Sequence, residues 1–184
     1  MQPRRGGRAL PLAGDEGART DDLTLWHFSE DASLRRFEPR DGKVWAIDDR
    51  HSWLYWFPRD CPRACFWAIG ATTEDDVERW LDGDPARRVA VVERGWLERI
   101  RETALYAYRM PRESFDVVLD DRFYIASTTV EAIERVEVGD LLARHAGAGV
   151  ELRIASALHP LWDEVVASTL DYSGIRLRNA TLAS

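Results

Sequence analysis

Residues 25–31, LWHFSED, carry the reading on which the fold turns. An aliphatic and aromatic run that ends in a histidine and passes into small and acidic residues reads as a strand whose end leaves the core. Outward from it, VWAID at 44–48 and RACFWAIG at 63–70 read as further strands, dense in apolar residues and flanked by turn formers. DRHSWLYWF lies between those two and reads as a short helical turn stopped by Pro58.

Further along, TTEDDVERWL at 72–81 places Thr at an N-cap, acids in the first turn, and Val77, Trp80 and Leu81 at helical spacing. RVAVVE at 88–93 is a strand, and GWLERIRETA after it is a short helix. LYAYRM, FDVVLD and RFYIAS read as three more strands, with Pro111 and the Asp120/Asp121 pair between them. VEAIERVEV alternates apolar and charged residues and reads as one half-buried strand. GDLLARHAGAG is a short helix closed by glycines, VELRIA is the last clear strand, and LHPLWDEVVASTL is a helix with Pro160 in its first turn. DYSGIRLRNA has less pattern. Strands outnumber helices and do not alternate regularly with them, which predicts an α+β fold with a mixed, mainly antiparallel sheet and short flanking helices.

Composition narrows the function. The 184 residues suit one globular domain, expected over 23–184. A flexible tail is expected over 1–22, where four arginines balance four acids and nothing apolar repeats. A net charge of -7 argues against nucleic-acid binding over a broad face. No apolar run is long enough for a membrane span and the N-terminus has no apolar signal region, so a cytoplasmic protein without a membrane partner is expected. Cys61 and Cys65 are too few for a disulfide scaffold.

Most motif-borne chemistries are missing: the chain has no Gly-rich phosphate loop, nucleophile elbow or HExxH. Cys61 and Cys65 would supply two zinc ligands and His51 a third, but no second Cys/His pair follows, so small packed residues are the better account and no metal is expected. His27 has two readings, a ligand donor at a rigid strand end or a histidine bonded to a neighbouring carbonyl. Arg36, Arg40 and Arg59, with Arg176 and Arg178 in the closing RLRN, suit a diphosphate or carboxylate; the plainer reading pairs each with surface acids. Arg176 and Arg178 would point the same way if extended. Of the eight tryptophans, five fall within about forty residues, enough for a ring-stacking surface beside the core.

LWHFSEDASLRRFEP followed by VWAIDDRHSWLYWF resembles the opening of the ADP-ribosyltransferase-like superfamily, over roughly residues 24–57. The whole chain also resembles a small bacterial family of uncharacterised proteins, through LWHFSE, VWAID, FPRDCPR, PLWDEVVASTL and IRLRNA. The first resemblance implies an ADP-ribosyltransferase-like fold with NAD as cofactor. By it, His27 bonds the adenosine ribose and Trp45 stands near the nicotinamide. The third motif, which normally supplies a glutamate, falls near DRFYIASTTVEAI, where Tyr124 and Ser127 occupy the strand and Glu131 lies close by. A missing glutamate removes stabilisation of the developing sugar cation and weakens the transferase reading.

The expected function is an NAD-binding ADP-ribosyltransferase or NAD glycohydrolase, or a degenerate relative of one. His27, Tyr124 and Ser127 would carry the chemistry; His27, Ser29, Arg40, Trp45, Tyr55, Arg59, Arg176 and Arg178 would bind the cofactor. The alternative is a non-catalytic module for a small anionic ligand or a protein partner. A hydrolase acting on a nucleotide or RNA end would share the same pocket.

Overall fold

A computed structural model describes residues 23–118 and 122–181. The expected flexible tail and the Asp120/Asp121 turn lie outside the described residues. Among the described residues the fold is α+β with mostly antiparallel sheets and four short α-helices. No described helix is long and apolar enough to cross a membrane.

The chain divides into two compact units, each built from two separate segments. The first takes the described residues of Met1–Trp56 and Ala104–Gly139, the second those of Phe57–Thr103 and Asp140–Ser184.

The first unit holds β1 (Leu25–Ser29), β2 (Arg36–Phe37), β3 (Val44–Asp48), β6 (Tyr106–Met110), β7 (Asp116–Val118), β8 (Phe123–Ala126), β9 (Val130–Glu131) and β10 (Glu134–Glu137). Six of these form an antiparallel sheet in the order β10-β6-β1-β3-β8-β7, while β2 and β9 pair separately. VEAIERVEV is therefore two short strands where alternation predicts one. Ala132 N–H turns to the Arg35 carbonyl and Ile133 N–H to that of Arg109, so the segment changes partner midway. Arg40 and Lys43 exchange backbone hydrogen bonds at 3.0 Å across a tight turn. Asp41 and Gly42 take φ of 51° and 75° there, the paired left-handed geometry that Asp-Gly favours in a two-residue hairpin.

The core of this unit gathers on one face of the sheet: Leu25, Val44, Ala46, Tyr108, Met110, Tyr124 and Ala126, capped by Phe37 and Val130 from the β2–β9 pair. Side chains alternate along a strand, so the register decides who shares that face. Trp26 opposes Ile47, Ala46 opposes Tyr124, and Trp45 opposes Ile125. His27 opposes Tyr108 and follows Leu25 onto the core face. Trp26, Phe28, Trp45, Ile47, Phe123 and Ile125 belong to the other face.

In the second unit β4 (Arg63–Trp67), β5 (Arg88–Glu93), β11 (Val150–Ala155) and β12 (Asp171–Ile175) form a sheet in the order β11-β5-β4-β12, with only β11 and β5 parallel. Its helices are α1 (Glu74–Leu81), α2 (Leu97–Glu102), α3 (Leu141–Gly147) and α4 (His159–Val166). Thr73 caps α1 by accepting from Asp76 N–H, Asp140 caps α3 in the same way, and Pro160 occupies the first turn of α4. Trp80 and Leu81 of α1 and Leu158 and Val165 at α4 bury Ala64, Phe66, Val89 and Val91. DYSGI of the weakly patterned tail is the edge strand β12, held by its pairing with β4.

Candidate functional site

The residues expected to form one pocket come from both units. His27, Ser29, Arg40, Trp45, Tyr55, Tyr124 and Ser127 belong to the first unit, and Arg59, Arg176 and Arg178 to the second.

On the core face of the first unit, the His27 ring lies 4.8 Å from the Phe37 ring and its Nδ1 donates to the Trp45 carbonyl at 2.8 Å. That is the carbonyl-bonded arrangement, in which the imidazole ties β1 to β3. Tyr124 is on the same face across Ala46, buried, with the Arg112 guanidinium 5.0 Å over its ring. Ser127 is exposed in the bend after β8. Ser29 Oγ accepts from Asp31 N–H at 3.1 Å, shaping the loop after β1. Asp31 also takes the Ser33 hydroxyl and N–H, which hold its carboxyl below the usual range.

The opposite face carries a run of rings. Phe28 stacks on Tyr55 with centroids 6.5 Å apart, Tyr55 meets Phe123 edge to face at 6.3 Å, and Phe123 meets Trp45 the same way at 6.5 Å. Trp45 is 42% exposed although it sits in the middle of a central strand. Lys43, the only lysine of the chain, holds its ammonium 5.6 Å from the Trp45 ring centroid. Arg40, bonded to Lys43 across the hairpin turn, is exposed beside it. Three residues of the expected cofactor set, Arg40, Trp45 and Tyr55, are thus joined through Phe123 and Lys43. His27 and Trp45 stand back to back, because adjacent strands place their side chains on opposite faces at this register.

At the far end of β3, Asp48 and His51 form a pair. Asp48 Oδ1 accepts His51 N–H at 2.7 Å, and both Asp48 oxygens lie 2.9 Å from His51 Nδ1. Trp26 Nε1 donates to Asp49 at 2.7 Å and pins this turn to the aromatic face. Tyr55 follows on the same 3-10 turn, Ser52–Tyr55. The signal was present in the sequence as DxxH after a strand, a spacing that returns the ring to the carboxylate through a tight turn.

In the second unit Arg176 binds the chain itself. Arg176 takes a left-handed φ of 55° and starts a 3-10 turn over Leu177–Asn179, so Arg176 and Arg178 do not alternate along an extended strand. Arg176 Nε donates to the Arg59 carbonyl at 3.4 Å and lies 4.0 Å from an Asp60 carboxylate oxygen, while Asn179 donates to the Asp60 carbonyl at 2.9 Å. Arg178 is exposed.

Cys61 and Cys65 are fully buried free thiols, and burial pushes both up to about 12, which leaves them protonated and unreactive near neutrality. No group of three or more His, Cys, Asp or Glu suited to a metal occurs among the described residues. A depression of about 370 Å³ beside α1 is lined by Thr72, Glu74, Val77, Glu78, Gly83 and Pro85, and its two glutamates disfavour an anion.

Residues 26–180 match the family of unknown function DUF6886, and the chain belongs to it. No curated protein and no solved structure matches the chain.

Proposed function

We propose that this DUF6886 member is a binding module for a small anionic ligand with a planar ring, and that NAD or a related nucleotide is the class it takes. The supporting observation is Trp45, 42% exposed in the middle of a central strand with a lysine ammonium against its ring. What sets Trp45 apart from a single exposed apolar side chain is its place in a run of rings with Phe123, Tyr55 and Phe28, which offers a stacking surface. A ligand ring would stack on the Trp45 surface, and Lys43 and Arg40 would neutralise its phosphate. Tyr55, Phe123 and Phe28 would hold the surface rigid from behind, as neighbouring rings favour fixed edge and stacked contacts.

The NAD transferase or glycohydrolase reading keeps one supporting observation: His27 and Tyr124 share a face on either side of Ala46. Tyr124 is only 4% exposed, however, and His27 spends its Nδ1 proton on a carbonyl, so this reading asks more of the geometry than binding does.

A thermal-shift titration with NAD, ADP-ribose and nicotinamide separates the two, because a ligand bound only by the native state raises its stability. Stabilisation of the wild type and of His27→Ala, but not of Trp45→Ala, supports the aromatic face. Loss with His27→Ala and retention with Trp45→Ala moves the site to the other face. No shift with any of the three ends the nucleotide reading.

A further inference from the structure

We propose that β11 is the two-fold interface of a homodimer, in which the strands of two copies pair antiparallel about Leu152 and join their four-stranded sheets edge to edge. β11 ends the order β11-β5-β4-β12 and, among the described residues, pairs with β5 alone. Alternate backbone N–H and C=O groups of Val150–Ala155 therefore point away from β5, the arrangement to which a further strand adds. A second copy of the same strand is the occupant its residues fit.

The run Val150, Glu151, Leu152, Arg153, Ile154 is complementary to itself when reversed. Antiparallel pairing about Leu152 sets Glu151 opposite Arg153 of the second copy and Arg153 opposite its Glu151. Val150 then meets Ile154, and Leu152 meets its own equivalent, as a two-fold axis requires. The side chains are already sorted for this pairing. Glu151 and Arg153 share one face, where Arg153 Nε and Nη2 hold the two Glu151 oxygens at 2.8 and 3.1 Å and Arg153 Nη1 donates to the Trp80 carbonyl at 2.8 Å. With both charges fixed before association, little side-chain freedom remains to be lost on pairing. Val150, Leu152 and Ile154 take the opposite face by alternation, and Ile154 is 37% exposed.

Charge also rejects the neighbouring registers. Centring the pair one residue earlier puts Glu151 opposite Glu151, and one residue later puts Arg153 opposite Arg153; like charges directly opposite each other repel. Edge strands that stay single are commonly guarded by lysine, proline or a bulge. β11 contains neither lysine nor proline, and its register with β5 runs unbroken from Val150 to Ala155. Its two charges are of opposite sign, so a two-fold axis through Leu152 makes them partners.

Sedimentation velocity of the full chain over a concentration series reads the assembly, and each variant is checked for a wild-type melting transition. The wild type should sediment as a dimer. Glu151→Arg and Arg153→Glu each put like charges opposite each other and should raise the dimer dissociation constant by about a hundredfold or more. Mixed one to one, the two variants are complementary at every charged position and should form a heterodimer. Leu152→Cys would lie opposite itself at a Cα separation of about 4.5–5.5 Å and should cross-link under diamide, whereas Ile154→Cys should not. This cross-link decides the register even where a charge variant fails to fold. A wild type that stays monomeric at every concentration would overturn the proposal and leave the edge to a strand from a different protein. Dimers that persist in both charge variants, folded variants that stay apart when mixed, or a cross-link at position 154 in place of 152 would overturn it as well.

Discussion

Strands β3 and β5 are both short apolar runs at the centre of a sheet, VWAID in one unit and RVAVVE in the other, yet they meet the solvent differently. β5 is covered on both sides: Val89, Ala90, Val91 and Val92 are each no more than 1% exposed. Helices α1 and α4 lie against Val89 and Val91. The other face of that sheet, with Cys65, Ala90 and Val92, is equally buried. β3 is covered unevenly: Ile47 on the face away from the core is 2% exposed, yet Trp45 on the same face is 42% exposed. Val44 and Ala46 enter the core, whereas Trp45 between them faces solvent. Apolar density measures what a strand is able to bury, and the layers laid on the sheet decide what it does bury. In the second unit polar groups under such cover serve the fold: Glu93, 5% exposed, accepts from Leu158 N–H and from the N–H and hydroxyl of Thr181, closing the C-terminal segment onto the sheet.

The sharpest way to break this comparison is a charge in the covered strand. Val91→Asp puts an unpaired carboxylate into a covered strand and should cost roughly 4 kcal/mol or more, enough to abolish a cooperative urea transition. Survival of that transition would mean that the cover over β5 opens readily.

The buried thiols give the next largest effect. With both held up to about 12, alkylation of the folded protein by iodoacetamide at pH 8 should run roughly a hundredfold or more slower than in urea. The linkage has a definite sign. Folding raises these pKa values above the ordinary thiol value of 9.0, so stability is undiminished below pH 9 and falls as pH rises from there towards 12. Denaturation midpoints measured across that range check it, and Cys61→Ala/Cys65→Ala should flatten the decline.

Gly174 tests the cover from the edge of the sheet. A Cβ there would lie 2.6 Å from Trp162 of α4 and 2.7 Å from Leu177, so Gly174→Ala should destabilise by about 1–3 kcal/mol in urea denaturation as the indole is displaced. The smallest effect belongs to the exposed ring. Trp45→Ser should change stability by less than about 1 kcal/mol, because the site is already exposed, while removing nucleotide-induced stabilisation. A loss comparable to that of Val91→Asp would show Trp45 to be core and end the contrast.

Local signals carried much of the architecture. The Thr73 cap, Pro160 at the start of α4, the turn stopped by Pro58 and the strand texture of LWHFS and VWAID each follow from preferences that act within a few residues. β12 escaped notice because DYSGI has little apolar content and is held by pairing with β4, an interaction more than a hundred residues distant. VEAIERVEV broke in two for the converse reason: its alternation is real, but its two halves find different partners.

The candidate site divides along the same line. Residue chemistry by itself marked Arg40, Trp45 and Tyr55 as ligand-binding types and His27 as a histidine with either a functional or a structural use. Only the tertiary structure decided that Trp45 and Tyr55 share a run of rings while His27 faces the core, and that Asp48 returns to His51. A single residue of register exchanges the two faces of a strand at no cost to local propensity, so which side chains meet is settled by long-range pairing. The sequence by itself determined an acidic α+β chain with short helices and aromatic strands. The interleaving of its two units, and the face on which its aromatic surface is left open, came from contacts between segments far apart in the chain, whose energies no local window contains.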